Sequence, residues 1–489
     1  MATAGSDGRQ REAMSKVDTA WLRMEKPTNL MMITGVWMLA SRLAPRRLRT
    51  LIAERFLAYP RFRQKAVDGA DGAFWEDDDA FDLDHHVVPI ELPEPRGQRQ
   101  LEKLVSRLAS TPLDHARPLW QFHLVEHYDG GSAVIPRIHH CYADGIALVQ
   151  VVLSMMDVSA HPGRVAPLRE TWLKDDGHRV TQRLHSPAQQ QLDRALKFGG
   201  KLLDKGIELT RHPFQAVDLA REGGAMASEL AHALSLADDP PTSLKAPLDG
   251  DKHCAWAEPL DLDEVKAVSR GADCTVNDVL LAAAAGALRG HLLARGEAID
   301  GVTIRATVPV NLRPLEHAKK LGNHFGLVFL DLPIGEANPV RRLERVAASM
   351  RELKNSRQAL VTYGILAALG MAPPALQRMA LELLSRKATT VATNVPGPQM
   401  PLYLGGSRVE EMMFWVPQSG GIGLGISILS YHGKVHFGLM SDGACIAKPK
   451  QVIRRFRPEF EKLLYATLME DWQRPLDAED CAATLAHYG

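Results

Sequence analysis

Two apolar runs with different periodicities flank a short polar stretch near residue 140. The first run, residues 132–138, is brief and follows Asp129-Gly130-Gly131, which is typical of a tight turn, so a β-strand is predicted. In the second run the apolar residues recur at α-helical spacing, at Ile146, Val149, Val152, Leu153 and Met156. The polar stretch between them, His139 to Gly145, is therefore predicted to be a corner between a strand and a helix.

Strands and helices alternate irregularly through both halves of the chain, which predicts an α/β protein. The predicted strands span residues 30–39, 120–127, 132–140, 302–310, 326–332, 389–395, 420–429 and 434–440. The predicted helices span residues 45–57, 98–108, 263–270, 279–293, 341–354 and 361–384, the last broken at Pro373-Pro374. Residues 1 to about 14 are predicted to be a disordered tail.

A proline at position 136 lies within the strand that leads to the two histidines. Proline cannot donate a hydrogen bond to a neighbouring strand. We therefore expect this strand to lie at the edge of its sheet or to contain a bulge.

The polar corner carries residues that are suited to acid–base chemistry. Neighbouring residues on a strand point to opposite faces, so His139 and His140 cannot both face one substrate. We expect His140, at the strand end, to face a cleft and His139 to pack inward. A neutral imidazole can act as a general base. Asp144 can hold an arginine or a backbone N–H, and Gly145 permits a backbone conformation that a side chain would obstruct.

Other interpretations of the histidine pair exist. The stretch can be a hydrogen-bonded turn with no catalytic function. A metal site is disfavoured, because adjacent histidine side chains diverge and the chain contains neither a C-x-x-C nor an H-E-x-x-H sequence. The sequence also contains no G-x-S-x-G, P-loop or G-x-G-x-x-G pattern, which argues against serine hydrolases, NTPases and dinucleotide-binding proteins.

A second polar group begins the long helix predicted at 279–293. Thr275 and Asp278 have the spacing of a capping box, in which Thr275 caps the helix and Asp278 reaches back to it. Capping accounts for Asp278 but not for Asn277, whose side-chain amide is free to donate. The positive end of the helix dipole lies at the same place.

Composition restricts the classes of protein that remain. A chain of 489 residues with 45% hydrophobic residues can form two domains with large cores. The formal net charge of zero gives no bulk attraction for nucleic acid. Five scattered cysteines suit reduced thiols in the cytoplasm. The first twenty residues do not resemble a signal peptide, and no run of 18 apolar residues predicts a membrane span.

The stretch from about residue 159 to 247 is poorer in apolar residues and is predicted to be a connector with one or two helices. Between Arg179 and Arg211 it carries seven Lys/Arg and three Asp/Glu, a net charge of +4, beside an apolar stripe. Such a helix can lie on an anionic membrane surface. Alternatively, the stripe packs on the protein's own domains and the charges are solvated.

Several motifs, taken in order along the chain, resemble the bacterial wax ester synthase/diacylglycerol acyltransferases. That family belongs to the HHxxxDG superfamily, which has the fold of chloramphenicol acetyltransferase and includes peptide-synthetase condensation domains. The matching motifs are His139–Gly145, Pro112-Leu113-Asp114 with Pro118-Leu119-Trp120, Asn277-Asp278, Asn311-Leu312-Arg313-Pro314, Leu321-Gly322-Asn323 and Asn394-Val395-Pro396-Gly397-Pro398. The similarity extends from about Asp18 to Gly443.

The resemblance implies an architecture of two α/β domains, each like chloramphenicol acetyltransferase, with mixed sheets and flanking helices. We expect an N-terminal domain at residues 1–160, a long, partly helical connector at 161–250 and a C-terminal domain at 251–489. The active site is expected in the cleft between the two domains, open to acyl-CoA and to the alcohol from opposite sides.

The resemblance also implies an acyl-CoA-dependent O-acyltransferase that makes wax esters or triacylglycerols by direct transfer. His140 corresponds to the family's catalytic base, and we expect Asn277 to stabilise the oxyanion. Asp144 is expected to pair with an arginine, and His139 is expected to be mainly structural. Further residues are expected to contribute to substrate binding: Gly145, Asp278, Trp120, Asn394, Pro396 and Gly397. No cofactor or metal is expected; acyl-CoA is a co-substrate.

The expected partners are acyl-CoA, a long-chain alcohol or diacylglycerol, and a membrane or lipid-inclusion surface, but no nucleic acid. We expect a cytoplasmic enzyme that associates peripherally with lipid. One alternative is an acyltransferase for another hydroxyl acceptor, such as a polyketide or glycolipid alcohol. Another is a non-enzymatic lipid-binding relative that retains the fold.

Overall fold

The computed structural model describes residues 3–4, 10–69, 72–161, 235–312, 321–469, 476–481 and 483. The strands are β1 Thr3–Ala4, β2 Gln10–Ala13, β3 Met32–Leu39, β4 Gln64–Gly69, β5 Gly72–Asp77, β6 Val87–Ile90, β7 Trp120–Tyr128, β8 Gly131–His139, β9 Lys252–Trp256, β10 Leu260–Asp261, β11 Ile304–Asn311, β12 Phe325–Leu332, β13 Thr390–Pro396, β14 Tyr403–Leu404, β15 Ser407–Trp415, β16 Leu424–Tyr431 and β17 Lys434–Asp442.

The helices lie between these strands and confirm most of the helical spans predicted from periodicity. They are α1 Lys16–Met24, α2 Pro45–Leu51, α3 Leu83–His86, α4 Gln98–Ala109, α5 Gly145–Met155, α6 Leu262–Gly271, α7 Val276–Ala294, α8 Pro339–Asn355, α9 Gln358–Leu369, α10 Pro374–Ser385 and α11 Lys450–Met469. A π-helical turn, Ile52–Phe56, continues α2, and a 3₁₀ turn, Pro60–Arg63, precedes β4. The predicted connector helix between Arg179 and Arg211 lies outside the described residues.

The sheet that carries the histidine pair has six strands in the order β14-β15-β3-β8-β7-β6. β7 and β8 form the predicted hairpin, and β3 lies on the other side of β8. The edge of this sheet beyond β3 is built from β15, which comes from the far C-terminal part of the chain and pairs with β3 antiparallel. The two halves of the chain therefore share one sheet.

The expectation that Pro136 marks an edge strand or a bulge is wrong. β8 is an interior strand, and its register with β3 is the same on both sides of Pro136. The ladder between β8 and β3 omits the pairs between Thr34↔Arg137 and Trp37↔Val134. Gly35 lies opposite, where an added Cβ would be 3.1 Å from the proline ring. The absence of a side chain at Gly35 makes room for the ring within the sheet.

The second large sheet lies in the C-terminal half. Its strands follow the order β10-β17-β16-β13-β11-β12, and β9 also pairs with β17. β13 runs parallel to both β11 and β16, whereas β16 and β17 form the predicted antiparallel hairpin. The mixed sheets with flanking helices agree with the predicted α/β fold class.

A smaller four-stranded sheet has the order β1-β2-β5-β4. β2 pairs antiparallel with β5, and the ladder joins Ala13 to Phe74. The prediction of a disordered tail is therefore wrong for residues 10–13, because short polar strands of this kind are ordered by their partner rather than by their own composition.

A buried polar contact centred on Lys252 also joins the two halves of the chain. The ammonium of Lys252 lies 2.6 Å from Asn29 Oδ1 and 3.2 Å from Asp442 Oδ2. The amide of Asn29 donates to the backbone oxygens of Gly420 and Ile422 at 3.0 Å each. Because buried charges require partners, this network holds Asn29, between α1 and β3, against the C-terminal sheet.

Candidate active site

The polar stretch forms the predicted corner between a strand and a helix. β8 ends at His139 and α5 begins at Gly145. Asp144 caps α5, because its Oδ1 accepts from the backbone N–H of Ala147 at 2.9 Å. A carboxylate at this position satisfies a free helix donor and favours the helix dipole. The boundary between strand and helix is therefore set by Asp144.

The expectation that Gly145 permits a backbone conformation that a side chain would obstruct is wrong. Its φ angle is not positive, and an added Cβ would meet no atom within 4 Å. The backbone therefore does not require a glycine here. What the glycine leaves is open space at the start of α5, beside the buried corner.

His140 is buried, with 4% of its surface exposed, rather than presented on an open face. Its ring stacks on the indole of Trp21, with centroids 4.2 Å apart, and Phe325 contacts it at 5.5 Å. Burial lowers the pKa of His140 to about 4, so the ring is neutral at pH 7. Its Nδ1 has no hydrogen-bond partner within the described parts of the chain.

His139 is also buried, and its contacts fix its tautomer. Its Nδ1 accepts from the backbone N–H of Cys141 at 3.1 Å, so the proton of the neutral ring is on Nε2. That Nε2 lies 3.1 Å from Glu25 Oε2, and Glu25 Oε1 lies 2.8 Å from Nε2 of His115. Burial alone would raise the pKa of Glu25, but its contacts with His115 and His139 outweigh burial and lower it. His139 is thereby held from behind by a carboxylate.

Asn323 connects the C-terminal half directly to His140. Its side-chain amide donates to the backbone oxygen of His140 at 2.8 Å and to Asp18 Oδ1 at 2.8 Å, and its backbone N–H donates to the same Asp18 oxygen at 3.0 Å. Burial raises the pKa of Asp18 to about 6. Asp18 lies one helical turn before Trp21 on α1, so one helix supplies both the ring under His140 and the anchor for Asn323.

The neighbours of Asn323 extend this contact along the corner. Gly322 donates to the backbone oxygen of Tyr142 at 3.1 Å and accepts from the N–H of Asp144 at 3.3 Å. The backbone N–H of His324 donates to Asp144 Oδ2 at 3.0 Å. Residues 322–324 therefore clamp the corner to the C-terminal half. The arginine expected beside Asp144 stays a prediction.

Asn277 and Asn394 form a second polar group. The amide of Asn394 donates to Asn277 Oδ1 at 2.9 Å, and within the described residues the amide of Asn277 remains free to donate. Thr275 and Asp278 form the predicted capping box at the start of α7. No hydrogen bond, ion pair or ring contact among the described residues joins this pair of asparagines to His140.

The other residues expected at the substrate lie in or beside the core. Trp120 is fully buried, its indole N–H donates to the backbone oxygen of Phe62 at 2.7 Å, and its ring stacks on His86. Pro396 ends β13. The N–H of Gly397 donates to the backbone oxygen of Ser430 at 2.7 Å, and a Cβ added to Gly397 would lie 2.5 Å from that oxygen. Their contacts with substrate stay predictions.

Sequence reasoning gave no role to several residues that surround the corner: Glu25, His115, Asn323, Trp21 and Asp18. Two of them belong to the residues that define the predicted similarity, since Asp18 marks its beginning and Asn323 lies in Leu321-Gly322-Asn323. The Gly322-Asn323 dipeptide within that motif was a sequence signal for a special backbone contact, but it did not reveal the partner. The pairing of Glu25 with two histidines has no sequence signature, because the three residues share no spacing.

Comparison with known proteins gives matches across both halves. A sequence model described as the wax ester synthase/diacylglycerol acyltransferase catalytic domain matches residues 14–280, and one described as the WS/DGAT C-terminal domain matches residues 321–464. A probable diacylglycerol O-acyltransferase of Mycobacterium tuberculosis is 33% identical over 396 residues, covering 80% of this chain and 81% of that protein. Another from the same organism is 30% identical over 395 residues, with the same coverage of each chain.

Solved structures share the fold. A wax ester synthase/diacylglycerol acyltransferase from Marinobacter aquaeolei VT8 superposes with a TM-score of 0.66 at 21% identity, covering 94% of this chain and all of that one. The starter condensation domain of rhizomide synthetase RzmA, in complex with C8-CoA, superposes with a TM-score of 0.58 at 15% identity, covering 96% of each chain.

Proposed function

The chain belongs to the wax ester synthase/diacylglycerol acyltransferase family and is therefore an O-acyltransferase, and we propose that His140 is its catalytic base. The substrates proposed are a long-chain acyl-CoA and the hydroxyl of either a long-chain alcohol or diacylglycerol. The products are a wax ester or triacylglycerol, together with free CoA. The acyl-CoA is a co-substrate, and the reaction needs no further cofactor.

The observation that carries this proposal is the environment of His140. A general base must be unprotonated before it acts, and burial keeps this ring neutral at pH 7 with a pKa of about 4. The ring packs against both Trp21 and Phe325, which also contact each other, and the backbone oxygen of His140 is fixed by Asn323. A fixed ring avoids the loss of rate that follows from a misplaced catalytic group.

The reaction proceeds by direct transfer. His140 removes the proton from the acceptor hydroxyl as the oxygen attacks the carbonyl carbon of the thioester. The tetrahedral intermediate carries a negative charge on the former carbonyl oxygen, and the free amide of Asn277 is the donor proposed for it. The C–S bond then breaks, and protonated His140 returns its proton to the CoA thiolate. No covalent acyl-enzyme forms.

Two observations support the binding of an acyl thioester next to the corner. The space beside Gly145 is open at the start of α5, in the same heptapeptide as His140. The condensation domain of RzmA, which shares the fold, was solved with C8-CoA. A bulky residue at position 145 would fill the open space, so Gly145 is proposed to line the substrate path rather than to relax the backbone.

The direct test is an assay of the purified protein with palmitoyl-CoA and, in separate reactions, hexadecanol and dioleoylglycerol. Release of free CoA together with ester formation is expected, and the preferred acceptor is read from the ratio of the two rates. Ester formation only with a polyketide or glycolipid alcohol would replace the proposed acceptors. Binding of palmitoyl-CoA without release of CoA in any reaction would favour the non-enzymatic lipid-binding relative.

The proposed substrates and products are poorly soluble in water, so the enzyme is proposed to work in the cytoplasm while attached peripherally to a membrane or lipid inclusion. None of the helices that the structure describes is long and apolar enough to cross a bilayer. The basic stretch between Arg179 and Arg211 is one proposed contact, through charge and its apolar stripe.

A further inference from the structure

Helix α10, Pro374–Ser385, has an apolar surface on the side that faces away from the protein. Its buried side consists of Gln377, Leu381 and Ser385, which recur every fourth residue. The opposite side presents Met379, which is 50% exposed, and Leu383, which is 41% exposed. A surface helix ordinarily places its polar residues on the side opposite the buried one. Here that side is apolar, so α10 has an apolar surface that no part of the described chain covers.

The apolar surface extends beyond the two large side chains. Ala375 is exposed one turn before Met379, and Met371, 39% exposed, precedes the helix. The polar residues of the exposed side, Arg378 and Glu382, lie together on one flank of this row. The row of Met371, Ala375, Met379 and Leu383 is called the outer stripe below.

The outer stripe lies one helix away from the proposed catalytic base. The side chain of Gln377, on the buried side of α10, donates to the backbone oxygen of Ala20 on α1 at 2.9 Å. The next residue of α1, Trp21, carries the ring that stacks on His140. The loop before α10 is equally close, because an added Cβ on Gly370 would lie 1.7 Å from the backbone oxygen of Lys16. A surface in contact with the outer stripe would therefore be separated from His140 by α10 and α1 alone.

From this arrangement we propose that the outer stripe seats the enzyme on the surface of a phospholipid layer. The inference rests on the proposed function, in which the acceptor and the product are lipids. A twelve-residue helix is about 18 Å long, which suits it to lie in the interface rather than to cross it. Methionine side chains are unbranched and adapt to irregular apolar surroundings. Arg378 flanks the stripe, and the exposed Lys16 has its backbone against Gly370 just before α10, so both cations are placed to meet anionic headgroups.

The proposal is tested with vesicles of phosphatidylcholine and phosphatidylglycerol, with and without dioleoylglycerol. The double variant Met379→Asp/Leu383→Asp is compared with the wild type by sedimentation with these vesicles. Because two large apolar side chains lose their burial, affinity for vesicles is expected to fall roughly tenfold or more. The matched control is Tyr465→Asp/Leu468→Asp, which changes two exposed apolar residues on α11, 53% and 54% exposed, and should bind as the wild type does.

Activity separates this proposal from the proposed function. The Met379→Asp/Leu383→Asp variant should lose turnover of dioleoylglycerol held in vesicles and keep turnover of the same substrates dispersed in detergent. Wild-type protein that binds vesicles yet turns over no acyl-CoA in either form would contradict the proposed function and leave the surface assignment standing. Salt gives a second distinction: binding through the outer stripe should weaken only slightly at high salt, because burial of apolar side chains dominates it, whereas binding through the basic stretch should be screened.

Three results would overturn the assignment. The first is equal vesicle binding by the wild type and the Met379→Asp/Leu383→Asp variant. The second is the absence of vesicle binding by the wild type. The third is a change in oligomeric mass or in thermal unfolding of the variant in the absence of lipid, which would mean that a second copy or another segment of this chain covers the stripe.

Discussion

The side-chain amide of Asn323 donates to the backbone oxygen of His140 at 2.8 Å, across a separation of 183 residues in the chain. The proposed base is thus held by the opposite half of the molecule. Because the same amide also donates to Asp18, its position does not depend on His140 alone. Changes in this contact should therefore alter the placement of the base before they alter the fold.

Replacing Asn323 tests this relationship. Asn323→Ala removes the donor to His140 and leaves Asp18 with fewer partners, so kcat should fall by roughly 10²-fold, the loss expected when a catalytic group is misplaced. KM for acyl-CoA should change little, because the amide contacts no proposed substrate. Asp18→Asn, which keeps an oxygen to accept from Asn323, should retain more activity than Asp18→Ala. Equal losses in kcat for the two Asp18 variants would argue against a positioning role.

His140 and His139 should give different phenotypes. His140→Ala should lower turnover by roughly 10²- to 10⁴-fold, the contribution of a general base, while the protein remains folded. His139→Ala should act mainly on stability, because it empties a buried position and removes the ring that lies 3.1 Å from the Glu25 carboxylate. Steady-state rates and thermal unfolding of both variants separate the two roles. A His139→Ala protein that is inactive yet unfolds at the wild-type temperature would reverse the assignment.

The asparagine pair at the start of α7 should separate from its capping neighbour. Asn277→Ala should lower the rate of acyl transfer by roughly 10²- to 10³-fold if its amide binds the oxyanion. Asn394→Ala should lower that rate less, because it removes only the hydrogen bond that orients Asn277. Asp278→Ala breaks the capping box and should cost about 1 kcal/mol of stability. Purely thermal effects in all three variants would remove Asn277 from the mechanism.

Buried histidines should make the fold sensitive to acid. Burial lowers the pKa of five of them: that of His86, His140 and His436 to about 4, that of His123 to about 3, and that of His291 below its usual value. The unfolded chain binds protons below about pH 6.5 while these folded rings do not, so stability should fall as the pH drops from there towards 4. Each ring contributes up to about 1.4 kcal/mol per pH unit. Asp18 acts in the opposite direction, because its pKa is raised to about 6.

Thermal unfolding measured across this pH range checks the sign. His123→Asn removes the ring that lies 3.4 Å from the buried guanidinium of Arg137, and its curve should be flatter than that of the wild type. Exposed His432 is the matched control, and His432→Asn should leave the slope unchanged. A wild-type protein that becomes more stable between pH 6 and 4 would contradict the prediction.

Local sequence patterns correctly predicted the features that depend on residues close together in the chain. The hairpin of β7 and β8, the corner at Asp144 and the capping box of Thr275 and Asp278 each depend on residues a few positions apart. The error at Pro136 has a different cause. A proline is tolerated inside a sheet when the neighbouring strand offers a glycine, and Gly35 is about a hundred positions away in the chain. No rule based on a single strand could reveal it.

The surroundings of the histidine pair were hidden for the same reason. Alternation on a strand correctly separated the directions of His139 and His140, but it could not show that both are buried. The ring of Trp21 and the amide of Asn323 cover His140 from two distant segments. Burial depends on these long-range contacts, whereas periodicity reports only which side of one element is apolar.

The pairing of β3 with β15 has a consequence for how the chain reaches this fold. Ser41, just after β3, donates to Ser407, 366 residues later, so the sheet under the active site closes through a contact of very high sequence separation. During synthesis the edge of β3 stays without its partner until most of the chain has left the ribosome. A truncated product that ends before residue 407 would expose an apolar strand edge, which is a template for aggregation. Because this contact is so distant in sequence, folding should be slow. A chain whose translation is interrupted in the C-terminal half should depend on chaperones.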